Sequence, residues 1–272
     1  MQYTRRITKS GDLLEVEVYA TTRTGKQVAR STSGDPTPKS MAVINERNAR
    51  KRQRRLLCAN FSRANGDIFA TFTYEGDVDE ERAMKEERNL IARIRRLRKR
   101  KGLPELKYMV VTEHQSKWHH HVIMNGGLTF EELKAVWGNR GKRLHMATLD
   151  DSDGFGGLVA YLNDDHKPKR GAQGEEAQES VKKPRRKGQR RWHASRNLKE
   201  PDVVEEEVKR LPWRGEPKPP AGYKLIADDW RYMETAFGIY TYAAYMRIGG
   251  RVKKKTKRKK GRKHGRAGQK AE

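Results

Sequence analysis

Two strand-like segments with almost no chain between them constrain the fold more than any other feature of this sequence. Residues 107–112 and 119–124 are short and mostly apolar, and the turn between them centres on Ser116 and Lys117. Strands joined by so short a connection must be antiparallel, because a parallel pair needs a long crossover. From residue 68 to 163 the pattern reads strand, helix, strand, strand, helix, strand, helix. This order predicts an α+β fold with helices packed on a mainly antiparallel sheet.

The flanking segments predict further parts around a core at 61–200. Residues 1–60 contain an alternating strand pattern at 12–19 and a basic helix at 40–60, so we expect both to be appended to the core. Within the core, 164–190 is charged and rich in Gly, Pro and Lys, which predicts a flexible loop. Residues 201–250 predict an aromatic extension packing on the core, and 251–272 a disordered polybasic tail.

The charge of the chain favours a polyanionic partner. The net charge is +26, of which residues 251–272 carry +11 and the first 250 residues +15. Because both the body and the tail are basic, nucleic acid is the first partner to consider. No apolar stretch is long enough to span a bilayer, and no basic amphipathic helix with an aromatic face indicates a membrane surface. Cys58 is the only cysteine, which excludes an intramolecular disulfide and fits a reducing cytoplasm.

Three consecutive histidines lie in the second of the two adjacent strands. Side chains of a strand alternate between faces, so His119 and His121 point one way and His120 the other. Glu113, in the preceding strand, is expected roughly opposite His120 and close to both neighbours. Two imidazoles and a carboxylate suit Mg²⁺, Mn²⁺ or another first-row ion. The alternative is that these histidines are surface residues of an edge strand.

A tyrosine in the helix predicted at 156–163 is the candidate nucleophile. Helical spacing puts Leu158, Tyr161, Asp164 and Asp165 on one side of that helix. A tyrosine hydroxyl can attack a phosphodiester and form a covalent intermediate. The alternative is a ring that packs on the sheet with its hydroxyl in water.

The chain resembles the HUH endonucleases in the order of three motifs. These are the strand Phe-Ala-Thr-Phe-Thr-Tyr at 69–74, the histidine run at 119–121, and Tyr161 within Gly-Leu-Val-Ala-Tyr-Leu at 157–162. It is most similar to the single-tyrosine rolling-circle replication initiators of bacterial phages, plasmids and integrative elements. Asn-Glu-Arg-Asn at 45–48 and Trp-His-Ala-Ser-Arg-Asn-Leu at 192–198 are also similar, so the resemblance covers about residues 45–201.

The resemblance implies a ferredoxin-like or RRM-like core with a five-stranded sheet. It implies that His119 and His121 hold a divalent metal (Mg²⁺ or Mn²⁺), with Glu113 as third ligand. Tyr161 would attack single-stranded origin DNA, giving a 5′-phosphotyrosyl enzyme and a free 3′-OH. The chain departs from the family pattern twice: His120 replaces a bulky hydrophobe, and could compete as a ligand in another register, and Asp164 replaces a lysine.

Basic and aromatic side chains are the predicted DNA contacts. The cationic runs at 47–55 and 93–101 could line a DNA track, or could be solvated helix faces. A tryptophan among arginines is typical of single-strand binders, although core packing is as good an explanation. Lys167, or another cation of the basic loop, would replace the family lysine. The predicted set is Arg93, Arg96, Lys167, Arg191, Trp192, Ser195, Arg196 and Asn197.

The predicted function is therefore replication initiation on single-stranded origin DNA in a bacterial cytoplasm. No Gly-rich Lys-Ser/Thr phosphate loop is present, so a host helicase and a host DNA polymerase are the expected partners, and no membrane is expected. Two alternatives stay open. One is a relaxase or transposase of the same chemistry. The other is a noncatalytic nucleic-acid-binding protein with structural histidines.

Overall fold

The computed structural model confirms the predicted α+β class. It describes residues 2–21, 39–114, 116–141, 143–163, 192–209, 213–235 and 238–249. These residues form two five-stranded antiparallel sheets and four α-helices. The loop predicted at 164–190 and the tail predicted at 251–272 lie outside the described residues.

The first sheet, called the core sheet, carries the histidine run. Its strand order is β6-β3-β5-β4-β7, and each neighbouring pair is antiparallel. The strands are β3 (Ile68–Thr73), β4 (Tyr108–His114), β5 (Trp118–Met124), β6 (Arg143–Thr148) and β7 (His193–Ala194). The sequence therefore predicts the adjacent antiparallel pair β4 and β5 correctly.

Helices cover both faces of the core sheet. On one face, α2 (Glu80–Arg100) and α3 (Phe130–Trp137) supply Leu90, Ile94, Leu133 and Trp137 to one apolar cluster. On the other face, Leu57 of α1 (Lys39–Asn60) and Leu162 of α4 (Gly156–Asn163) join a second cluster. Thr129 and Glu132 form the predicted capping box at the start of α3. No described helix combines the length and apolarity needed to cross a membrane.

The second sheet, called the terminal sheet, joins the two ends of the chain. Its order is β8-β1-β2-β10-β9. The strands are β1 (Tyr3–Ser10), β2 (Leu13–Ala20), β8 (Asp202–Val208), β9 (Tyr223–Thr235) and β10 (Gly238–Arg247). The sequence predicts only one N-terminal strand, whereas the structure has a hairpin there. The aromatic segment after residue 201 pairs with this hairpin, because β10 aligns with β2.

A buried ion cluster fastens α1 to the terminal sheet. Arg55 Nε lies 2.5 Å from Glu15 Oε2, and Arg55 Nη2 lies 3.1 Å from Glu17 Oε2. Lys51 Nζ lies 2.5 Å from Glu17 Oε1, and the Tyr242 hydroxyl donates to Glu15 Oε1 at 2.8 Å. The Glu15 side chain is only 1% exposed. Its charge is tolerated because the arginine and the hydroxyl replace the lost water.

We expect Arg55→Met to lower the free energy of unfolding by about 3 kcal/mol, because it leaves the buried Glu15 without its cation. Arg52→Met on the same helix is the matched control: its ion pair with Glu200 is more than 60% exposed on both sides. Such exposed pairs contribute less than about 1 kcal/mol. Urea unfolding of the two variants measures the difference. Equal losses in both variants would contradict a stabilising role for the buried pair.

Candidate metal centre and tyrosine

The register of the core sheet puts Glu113, His119 and His121 on one face. Glu113 pairs with His119, and the closing pair of the hairpin is His114 with Trp118. The prediction that Glu113 lies opposite His120 is thus wrong by one position, because three residues rather than two separate the paired ends of the strands. Directly paired residues share a face, and so do residues two apart. The correction therefore brings the carboxylate onto the same face as both histidines.

The three side chains converge on a small volume. Glu113 Oε1 lies 3.1 Å from His119 Nε2 and 3.0 Å from His121 Nε2. One ligand atom from each residue falls within 4.8 Å of the others. His119 and His121 are buried, and Glu113 is half-buried. This is the only group of three such ligands among the described residues.

Hydrogen bonds behind the imidazoles fix which nitrogen faces the group. His119 Nδ1 lies 3.0 Å from the Lys117 carbonyl oxygen, which can only accept, so this nitrogen carries the proton. In the neutral ring, Nε2 then turns a lone pair towards Glu113. His121 Nδ1 lies 3.0 Å from Thr71 Oγ1, which can orient that ring in the same way. A lone pair aimed at a carboxylate needs a shared cation, so the donor set fits a divalent metal.

The Glu113 carboxylate is held in its charged form. Burial alone would raise its pKa, but the hydrogen bonds from His119 and His121 and their charges lower it to about 2. The carboxylate is therefore ionised across the physiological range, as a metal ligand must be.

Tyr161 lies beside His121 on the same face. Val159 and Leu162 of α4 are buried in the apolar cluster under this face, which leaves Tyr161 on the rim with 46% of the residue exposed. Its ring centroid is 5.3 Å from that of His121 and 6.3 Å from that of Phe69. Partial burial and the Glu113 charge raise the pKa of its phenol, so the hydroxyl is neutral near pH 7.

His120 points to the opposite face and contacts none of the three candidate ligands. Its Nε2 lies 2.9 Å from the Tyr74 hydroxyl and its Nδ1 2.7 Å from Thr112 Oγ1, which in turn donates to Glu87. Burial lowers the pKa of His120 to about 4, so the ring is neutral. The possibility that His120 competes for the metal is therefore wrong, because both of its nitrogens are engaged on the other side of the sheet.

The predicted DNA-contact residues fall in different places. Arg93 and Arg96 lie on α2, on the face away from Tyr161, and Arg93 pairs with Glu86 at 3.4 Å. Trp192 packs against the cluster under Tyr161, and Arg196 is exposed. Ser195 Oγ accepts from the Tyr108 amide, and Asn197 donates to the Leu106 carbonyl. Lys167 and Arg191 lie outside the described residues.

Three residues that sequence reasoning missed also belong to this face. A cleft of about 460 Å³ is lined by the two histidines and Tyr161 together with Thr71, Lys117 and Arg143. Thr71 and Lys117 orient the histidines, and Arg143 lies on the edge strand β6. The available signal was the alternation of β3, which puts Thr71 and Thr73 on one face once its partner strand is known.

Comparison with known families gives one match, over residues 67–166. The matching family is described as replication-associated protein, of the ORF2 and gene II protein type, and its members are rolling-circle replication initiators. The matched segment contains β3, Glu113, both metal-facing histidines and Tyr161. The resemblance seen in the sequence is thus confirmed over this segment, and it indicates a replication-associated protein that binds DNA. No curated protein and no solved structure matches the chain.

Proposed function

From the match of residues 67–166 to rolling-circle replication initiators, we propose that the protein nicks single-stranded origin DNA and stays covalently attached to it. The observation that carries the proposal is the placement of Tyr161 next to His121, on the face where Glu113, His119 and His121 converge. A phosphodiester at this convergence point is within reach of the tyrosine hydroxyl. The net charge of +26 supplies the attraction for the DNA backbone.

The proposed step is a transesterification. The Tyr161 oxygen attacks phosphorus, an Oη–P bond forms, and the bond from phosphorus to the 3′-oxygen breaks. The phenol loses its proton and the departing 3′-oxygen gains one, which gives a 5′-phosphotyrosyl protein and a free 3′-OH. A divalent cation held by Glu113, His119 and His121 would polarise the phosphodiester and stabilise the charge that builds in the transition state. No energy source is needed, because one phosphodiester replaces another.

The chain's own residues prepare this chemistry. Lys117 and Thr71 hold the two imidazoles with Nε2 towards the group, so little ordering of the donor atoms remains when DNA binds. Phe69 stacks on His121 with centroids 5.4 Å apart and supports the ring that Tyr161 contacts. The free 3′-OH is a primer for a host polymerase, and a host helicase would open the duplex.

Labelled single-stranded oligonucleotides that tile the DNA element encoding this protein test the proposal. With Mn²⁺ or Mg²⁺, we expect one of them to give a protein band that stays shifted in denaturing gels. The released fragment should be extended by a DNA polymerase, and EDTA should prevent both products. Cleavage only at a transfer origin or at element ends would instead indicate a relaxase or a transposase. Tight binding of every oligonucleotide without any adduct would contradict the proposal.

A further inference from the structure

A cation on the edge strand of the core sheet lies level with the metal-facing histidines. Thr73 of β3 pairs with His119 on one side and with Arg143 of β6 on the other. Directly paired residues share a face, so Arg143 belongs to the same face as His119. Two strand spacings of about 4.8 Å put the two Cα atoms roughly 10 Å apart. Arg143 and the candidate metal centre thus lie in one cross-strand row.

Arg143 lacks the partners that other arginines of this protein have. It is exposed, lines the cleft that contains Tyr161, and makes no hydrogen bond or ion pair with any residue that the structure describes. Arg140, close to it in sequence, pairs with Glu86 at 2.8 Å, and Arg55 is locked between two glutamates. A guanidinium with free donors beside a phosphate-handling site is suited to bind a phosphate through two hydrogen bonds.

A second cation lies at the same end of the cleft. Lys117 belongs to the turn before β5, and its ammonium donates to the Glu75 carbonyl, just beyond the end of β3. Its side chain is exposed and lines the cleft with Arg143. Tyr161, in contrast, contacts Phe69 and His121, which lie further towards the start of β3. The histidine pair therefore separates the tyrosine from the two cations.

We propose that Arg143 and Lys117 bind the DNA segment on the 5′ side of the scissile phosphate and hold it after the nick. The inference rests on the proposed function. In phosphoryl transfer the attacking and leaving oxygens lie roughly in line on opposite sides of phosphorus. Because Tyr161 attacks from the Phe69 side, the leaving 3′-oxygen points towards Arg143 and Lys117. The fragment that ends in the free 3′-OH is therefore the one these cations retain.

Retention of this fragment has a functional consequence. The 3′-OH that stays in the cleft can attack the phosphotyrosyl bond and re-form the original DNA, with the proton returning to Tyr161. A fragment that leaves quickly cannot do so. Arg143 thus influences the balance between nicking and rejoining without taking part in bond formation.

The first test measures binding without chemistry. The probe is a 12-nucleotide oligo(dT) in EDTA, titrated by fluorescence anisotropy at several salt concentrations. We expect Arg143→Ala to weaken binding about 10-fold and to lower the slope of log affinity against log salt by about one. Arg143→Lys keeps the charge and should keep most of the slope. Arg88→Ala is the control, because Arg88 is equally exposed but lies on α2, on the opposite face. Equal losses for Arg143→Ala and Arg88→Ala would overturn the proposal.

The second test follows the nicked complex. With a cleavable oligonucleotide labelled at its 5′ end, we expect Arg143→Ala to form the adduct but to release the labelled fragment about 10-fold faster and to rejoin less DNA. An unchanged release rate would overturn the side assigned to the cations. If no DNA gives an adduct while oligo(dT) binding still depends on Arg143, the nicking function fails and the phosphate subsite stands. Circular dichroism melting of each variant checks that the fold is intact.

Discussion

Tyr161→Phe is expected to abolish the covalent protein–DNA adduct while DNA affinity and the free energy of unfolding stay nearly unchanged. The substitution removes one oxygen atom, which is the proposed nucleophile. The ring itself can keep its edge contacts with His121 and Phe69. The residue is 46% exposed, so water can reach any group that the hydroxyl leaves. The loss should therefore appear in the chemical step alone.

Tyr232→Phe is the matched control for this substitution. Its hydroxyl donates to Glu234 within the same strand of the terminal sheet, away from the core sheet. Adduct formation should proceed at the wild-type rate in this variant. Both proteins are compared in denaturing gels with the same labelled oligonucleotide and Mn²⁺. Full adduct formation by Tyr161→Phe would assign the nucleophile to another residue.

His121→Ala is expected to weaken Mn²⁺ binding by more than about 100-fold and to remove nicking activity. Losing a residue that only supports a metal ligand already costs about 10–100-fold, and His121 is proposed as a ligand itself. His119→Gln should give a similar loss with less disturbance of packing. Isothermal titration calorimetry with Mn²⁺ measures both variants. Circular dichroism shows whether the buried His121 site still folds.

His145→Ala is the control for the two metal-site variants. His145 pairs with Thr71, which pairs with His121, so it lies on the same face two strands away. It is exposed, and it is not part of the Glu113 group. Its removal should leave Mn²⁺ affinity unchanged. If His145→Ala and His121→Ala weaken Mn²⁺ binding equally, the metal is held elsewhere on the sheet.

The local parts of the site could be predicted from the sequence because they depend on neighbouring residues. Strand alternation separates His120 from His119 and His121, and the short turn makes β4 and β5 antiparallel. The exact register was missed by one position, because it depends on how many residues the turn leaves unpaired. Thr71 was missed for a different reason. It contacts His121 across a pairing between strands 50 residues apart, which periodicity within one strand cannot reveal.

The terminal sheet was hard to predict for two physical reasons. Its central pairing joins β2 to β10, more than 200 residues later in the chain. Its edge strand β8 contains three consecutive glutamates and lacks the apolar alternation of a half-buried strand. β8 pairs nonetheless, because Arg5 and Arg6 of β1 lie opposite Glu206 and Glu205 and form ion pairs with them.

Peptide mapping of the trapped adduct tests the central claim most directly. The wild-type protein is reacted with a cleavable oligonucleotide and Mn²⁺, digested with nuclease and protease, and analysed by tandem mass spectrometry. The account predicts a nucleotide phosphate linked to the hydroxyl of Tyr161 and to no other side chain. A phosphate linked to a different tyrosine, or cleaved DNA with no modified peptide, would contradict it.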